Sequence, residues 1–207
     1  MTPLLSDYDG RATTTVLVRR IDSPIGILHV ASFEQGVCAL ALGPAAEALE
    51  PRLRRAFGPF FRIAEGDPLD VEAALARYFD GALRALDDVP IAAPATPMQR
   101  RVWDLVRNVA PGQVTTYAAL AERMGMPRAQ RAVGVCLASN PVPVLMPCHR
   151  VVAASGGLGS HPGGPMCKAA LLAHEGALEV ARAASRRSFV RAREPERLLD
   201  AAAIAAT

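Results

Sequence analysis

Lysine is nearly missing from this chain of 207 residues: Lys168 is the only one, and arginine carries almost all of the positive charge. Codon bias explains that preference as readily as function, and a formal net charge of +3 is too small to announce a polyanionic partner. Paired cysteines are missing too. Cys38, Cys136, Cys148 and Cys167 include no C-x-x-C, so their spacing supports neither a zinc ribbon nor a disulfide framework. His29, His149, His161 and His174 lie far apart without ligand spacing, and no metal site is expected. Neither G-x-G-x-x-G nor G-K-[ST] occurs before a helix, which excludes the familiar phosphate cradles. No apolar run approaches membrane-spanning length, and Met1 is followed by Ser6, Asp7 and Asp9 rather than by a basic segment and an apolar core. The expectation is a cytoplasmic protein with reduced thiols and no membrane contact. Aromatics are sparse at 5%, but 51% hydrophobic and 21% charged residues suit a soluble globular chain with one large or two small domains.

In the N-terminal half, β-prone runs alternate with turns at short intervals. Val16–Arg19, Ile27–Ala31 and Val37–Leu42 are separated by Asp22-Ser-Pro-Ile-Gly26 and Glu34-Gln-Gly36, which predicts an antiparallel meander. Leu49, Leu53 and Phe57 recur every four residues and mark a helix from Ala45 to Phe57. A short strand at Phe60–Ile63 follows, then a helix opened by Asp67-Pro68 with Val71, Leu75, Tyr78, Phe79 and Leu83 on one face. His29 and Cys38 fall inside strand patterns and read as sheet or core residues. The passage Asp87–Pro97 has three prolines and no periodicity, so it marks a boundary. The division expected is 1–92, an N-terminal α/β domain; 93–178, a C-terminal domain; and 179–207, an Arg/Ala-rich tail.

The C-terminal half carries the chemistry. Thr96-Pro97 caps a helix through Asn108 with Trp103 partly buried, and Val114–Tyr117 leads into a helix to Met124. A turn at Gly125-Met-Pro127 and a second helix from Arg128 to Leu137 complete a helix-turn-helix pattern, which any αα-hairpin would also give. Ala129, Ala132 and Gly134 leave that second helix bare while Arg128 and Arg131 project, a combination suited to close approach to nucleic acid. Next comes Asn140-Pro-Val-Pro-Val-Leu-Met-Pro-Cys148-His149-Arg150, whose prolines predict a stiff, extended, buried strap. It delivers a thiol beside an imidazole and a guanidinium; a buried cysteine acting as a small hydrophobe is the plainer alternative. A glycine-dense loop, Ala153–Pro165, precedes a helix from Cys167 to Glu175 that Gly176 terminates.

Met146-Pro-Cys-His-Arg-Val-Val152 resembles the P-C-H-R-V signature of the alkylguanine-DNA alkyltransferases, also called methylated-DNA–protein-cysteine methyltransferases. Val102-Trp103, Pro111-Gly112, Thr116-Tyr117, Arg131-Ala-Val-Gly134, Asn140-Pro141 and Lys168…Leu-Leu-Ala-His-Glu175 stand at the family's order and spacing, as does Asp22–Gly26. The resemblance spans about residues 15–178. It implies an α/β (α+β) fold: a small N-terminal antiparallel sheet with helices, RNase H-like, and a mostly helical C-terminal domain holding the helix-turn-helix and the cysteine. It implies repair of 6-O-alkylguanine in double-stranded DNA by a monomer that moves the alkyl group onto its own cysteine, once, with no metal or organic cofactor. Cys148 is then the nucleophile, His149 its base through a water, Glu175 the orienting acid and Asn140 the brace of the turn. Tyr117 would hydrogen-bond the flipped purine, with Met146, Val151, His161 and Gly163 at the pocket. Arg128, Ala129, Arg131 and Gly134 would meet the minor groove, Arg131 filling the vacated stack.

The loop Gly159-Ser-His161-Pro162-Gly163 departs from the family, which usually has an aromatic where His161 stands. Pro162 also removes a backbone N–H that can donate to the guanine oxygen, worth about 1–3 kcal/mol, and His161 offers a donor in its place. Two other readings stand beside repair: a lesion-recognising or regulatory DNA-binding module without transfer, and a Cys–His hydrolase.

Overall fold

The computed structural model describes residues 14–44, 46–153 and 157–178. The Arg/Ala-rich tail, the lead-in before Thr14 and part of the glycine-dense loop lie outside the described residues. The chain divides into two compact units that meet between Pro94 and Ala95.

In the first unit, β1 (Thr14–Ser23), β2 (Gly26–Phe33) and β3 (Gly36–Leu42) form the expected antiparallel meander, in register from Leu17↔Ser32 to Ser23↔Gly26 across β1 and β2. The further strand, β4 (Phe61–Glu65), adds a parallel pairing with β1 to this antiparallel meander and gives the order β3-β2-β1-β4. The crossover through α1 (Glu50–Phe57) returns the chain to the far edge, and a helical connection makes a parallel pairing possible. A 3-10 turn at Ala46–Leu49 occupies the start of the helix expected from Ala45. Leu49, Leu53 and Phe57 bury as their spacing requires, and Phe57 meets Phe33 edge-on with centroids 5.3 Å apart. Val71, Ala74, Leu75 and Tyr78 of α2 (Val71–Phe79) are buried. Asp70 stands at the N-cap position in place of Asp67, yet it is the Asp67 carboxylate that accepts the Val71 and Glu72 N–H groups at 2.9 and 2.7 Å. Leu83 lies beyond the helix. His29 and Cys38 are buried strand residues, as expected. Gly36 has φ +150°, and a Cβ there would sit 2.8 Å from the Pro90 carbonyl. That close approach lets Val37 pair with Pro90–Ala92, so the end of the proline-rich passage belongs to this sheet's edge.

In the second unit, α3 (Pro97–Arg107) opens on a full capping box: Gln99 N–H donates to Thr96 Oγ1 at 3.2 Å, and Thr96 N–H to Gln99 Oε1 at 2.8 Å. Trp103 is buried rather than half-exposed, because its indole N–H reaches the Cys136 carbonyl at 3.0 Å. This ties α3 to α5 (Gln130–Ala138), and α4 (Tyr117–Arg123) packs beside α5 to complete the helix-turn-helix. The second helix begins two residues later than expected. Arg128 is an exposed turn residue and Ala129 the N-cap position, because the Met126–Ala129 turn still closes there. A two-stranded parallel pair, β5 (Thr115–Thr116) with β6 (Val151–Val152), joins the start of α4 to the segment after the cysteine. The last helix, α6 (Gly164–His174), starts three residues ahead of Cys167, with Pro165 in its first turn, and stops before Glu175.

Candidate active site

The proline strap is buried but not extended. After Val142 the chain turns sharply at Val144, whose φ of 76° is strained for a β-branched residue, and Met146 N–H closes back onto the Val142 carbonyl at 2.9 Å. Pro141 and Pro147 flank this turn and Pro143 lies within it. Asn140 pays for its burial with three hydrogen bonds: Oδ1 accepts from Val142 N–H at 3.0 Å, and Nδ2 donates to the Met146 carbonyl at 2.9 Å and to Cys148 Sγ at 3.1 Å. One side chain therefore shapes the turn and touches the sulfur. Cys148, His149 and Arg150 form a single 3-10 turn, all buried, and β6 follows at once.

His149 is wholly buried; its Nε2–H donates to Glu175 Oε1 at 3.0 Å. Arg150 grips the same carboxylate from Nε at 2.9 Å and from its NH2 nitrogen at 2.8 Å, and its other arm donates to the Val109 carbonyl. Burial alone would raise the Glu175 carboxyl, but the His149 and Arg150 hydrogen bonds outweigh it and hold it down at about 2. Glu175 is therefore a fixed anion. Burial pushes the Cys148 thiol up, opposed by the Asn140 hydrogen bond and by the Lys168 ammonium. Burial pushes His149 down, with Glu175 opposing. The resting pair is thus a neutral thiol and a neutral imidazole, the imidazole's bare Nδ1 having no partner among the described residues.

Lys168, also fully buried, donates from Nζ to the Val151 carbonyl at 2.6 Å, and burial brings it to about 8 with the cysteine sulfur opposing. Tyr117 stands at the start of α4, where the β5–β6 pairing sets it; burial pushes its hydroxyl up, with the Ser160 side chain opposing. Its ring lies 3.9 Å from where a Gly134 Cβ would stand, and its hydroxyl 2.5 Å from where a Gly159 Cβ would stand. Gly159 has φ +76°, so both backbone and space call for glycine there. His161 is half-buried, its Nδ1 accepting from Gly163 N–H at 3.1 Å. Burial, then the neighbouring His149 and Lys168, push it down to about 3. Met146 and Val151 are buried, and their carbonyls already receive Asn140 and Lys168.

The structure thus brings together two hydrogen-bonded pairs, Asn140 with Cys148 and His149 with Glu175, adjacent through the Cys148–His149 peptide, with Tyr117, His161 and Gly163 beside this cluster. Arg128 and Arg131 stay exposed, outside that cluster. On α5, Arg131 and Val135 lie four residues apart on one face, and Val135 is 65% exposed. Sequence reasoning gave no role to Arg150, Lys168, Ser160 or Val135. Lys168 did carry a signal: where arginine is the default cation, a single lysine marks a place that a guanidinium does not fit.

A buried, base-equipped thiol in the same unit as a helix-turn-helix defines the class: a protein whose own cysteine is set up for reaction beside a nucleic-acid-binding motif. Comparison with known proteins gives the family. A family model described as the DNA-binding domain of 6-O-methylguanine DNA methyltransferase matches residues 97–177. The chain is 36% identical over 166 residues to the methylated-DNA–protein-cysteine methyltransferase of Salmonella typhimurium, covering 79% of this chain and 97% of that one. It is 37% identical to the human protein of the same name, covering 75% of this chain and 78% of the other. The crystal structure of Mycobacterium tuberculosis OGT in complex with DNA superposes with a TM-score of 0.61 at 29% identity, covering 82% of this chain and 95% of that chain. The chain belongs to the methylated-DNA–protein-cysteine methyltransferase family.

Proposed function

We propose that this protein repairs duplex DNA by flipping out 6-O-alkylguanine and moving the alkyl group, once and irreversibly, onto Cys148. The observation that carries this is the buried cluster in which Asn140 donates to the Cys148 sulfur at 3.1 Å and Glu175 pins the neighbouring His149 at 3.0 Å. Packing alone requires neither bond.

The thiol rests protonated, so the nucleophile is made as it is used. The thiol proton passes through a water to Nδ1 of His149, and Glu175 takes up the imidazolium charge. Arg150 keeps that carboxylate fixed and ionised. Lys168 and the Asn140 amide favour the thiolate. Sulfur then attacks the alkyl carbon in line with the carbon–oxygen bond; the electron pair of that bond leaves with the guanine. Tyr117 hydrogen-bonds the purine and supports its departure as an anion. His161 and Gly163 wall the pocket, together with Met146 and Val151. The resulting thioether has no route back, so each molecule acts once.

For DNA, α5 enters the minor groove with Ala129 and Gly134 permitting close approach, Arg128 on the backbone and Arg131 in the stack. The exposed Val135, one turn from Arg131, supports that face as the contact. The protein works as a monomer in the cytoplasm, with 93–178 carrying DNA binding and transfer.

The test is a stoichiometric reaction with a duplex bearing one 6-O-methylguanine. The expected result is at most one methyl per protein, none for Cys148→Ala, and retained DNA binding by that variant. Tight lesion binding with no transfer by the parent protein would replace repair with recognition.

A further inference from the structure

Two imidazole nitrogens are buried and lack a partner among the described residues: Nδ1 of His149, the residue after Cys148, and Nε2 of His161. Their rings meet edge to face, centroids 6.4 Å apart and planes at 77°. Each tautomer is set by the bond at the other nitrogen. His149 gives its Nε2–H to Glu175, so its Nδ1 is a lone pair. His161 receives the Gly163 N–H at Nδ1, so its proton is on Nε2. One orphan is an acceptor and the other a donor, and the ring separation suits one water hydrogen-bonded to both.

The geometry points to His161 as a positioning residue for thiol activation: its Nε2–H holds, together with His149 Nδ1, the water through which the Cys148 proton leaves. This rests on Cys148 being the nucleophile. The water accepts from His161 and from the thiol and donates to His149. When the thiol proton moves to the water, the water gives one of its own to Nδ1, leaving a thiolate, an imidazolium and an intact water. His161 keeps its proton throughout. Burial first, then its neighbours His149 and Lys168, hold it near 3, which keeps it neutral and a constant donor at working pH. Lys168 bears electrostatically on Cys148, His149 and His161 alike. The other groups bearing on Cys148 are Cys167 on α6, Tyr117 on α4, and Glu175 and Arg150 through His149.

The experiment follows alkylation of Cys148 by iodoacetamide against pH in the full chain, reading the Cys148 peptide by mass spectrometry. No DNA is needed, so its failure is separable from failure of the repair reading. His161→Phe keeps a ring and removes the donor; the Cys148 profile is expected to move up by about one pH unit, about tenfold slower at neutrality. His161→Gln restores an amide N–H near the Nε2 position and is expected to recover most of that loss. A profile unmoved in His161→Phe while transfer from DNA falls would overturn the relay and leave His161 a contact to the base alone. A folded His161→Gln as slow as His161→Phe would also overturn it, even if the phenylalanine variant proved too unstable to assay.

Discussion

Replacing Glu175 by glutamine separates what this carboxylate does for the fold from what it does for the sulfur. In the native cluster it receives Arg150 twice, at 2.9 and 2.8 Å, and His149 once, at 3.0 Å, all out of contact with water. Glu175→Gln leaves a buried guanidinium without its counter-ion. Breaking one side of such a pair costs about 3–5 kcal/mol. At roughly 2–4 °C per kcal/mol for a chain of this size, the melting temperature should fall by about 10 °C. Adding Arg150→Met removes the stranded charge, and most of the stability should return, since apolar replacements of buried ion pairs are commonly neutral or better. The methyl-transfer rate should not return, because the imidazolium formed at His149 still lacks its anion; a deficit of about 100-fold is expected in both variants, at the lower end of the range for general acid–base catalysis. Thermal denaturation and single-turnover transfer, run on the parent, both singles and the double, make a complete cycle. A double variant that recovers rate together with stability would refute the role assigned to Glu175 and leave it a packing element.

Gly159→Ala should fold but force the Tyr117 hydroxyl aside, lowering transfer by up to about 100-fold with little change in DNA affinity; single-turnover kinetics beside a binding titration checks this. Gly134→Ala meets only ordinary contact at 3.9 Å from Tyr117 and gains helix propensity, so stability should hold or rise by up to about 1 kcal/mol. DNA affinity should nevertheless drop if α5 lies against the groove floor, and unchanged affinity would remove the helix from the groove. Arg128→Ala should weaken DNA binding evenly across sequences and reduce the salt slope by about one. Stability should decline as pH falls below the ordinary histidine range. His149 and His161 are held below their unfolded values, His161 down to about 3, so the unfolded chain binds protons first and stability present near neutrality is lost on acidification. Glu175, held at about 2, adds a loss of the same sign below the usual carboxylate range. His161→Phe should flatten the earlier part of that decline in denaturant titrations.

The periodic parts of the fold were legible. The meander, the Leu49–Leu53–Phe57 face and the Thr96 cap follow from local spacing and capping chemistry, which a sequence displays directly. The parallel placement of β4 was not, because strand direction depends on where a crossover returns the chain, and no residue in Phe61–Glu65 encodes it. The strap shows the other limit. Its prolines argued for extension, but the deciding interactions are the Asn140 amide reaching Val142 and Met146, which pull the chain into a turn at the cost of Val144 strain. At the site, Cys148, His149, Glu175 and Asn140 were named from motif and resemblance, and the bonds among them are what the fold adds. The guanidinium of Arg150 was visible beside the thiol, but its task was not, because the carboxylate it grips stands 25 positions along.

The most direct test of the central claim is the intact mass of the protein after reaction with a 6-O-methylguanine duplex, followed by peptide mapping of the modified residue. The account predicts a single methyl increment, on the sulfur of Cys148, with the lesion strand converted to guanine in equal amount. A methyl group found on Cys167 or elsewhere, or guanine released without any mass change, would contradict it.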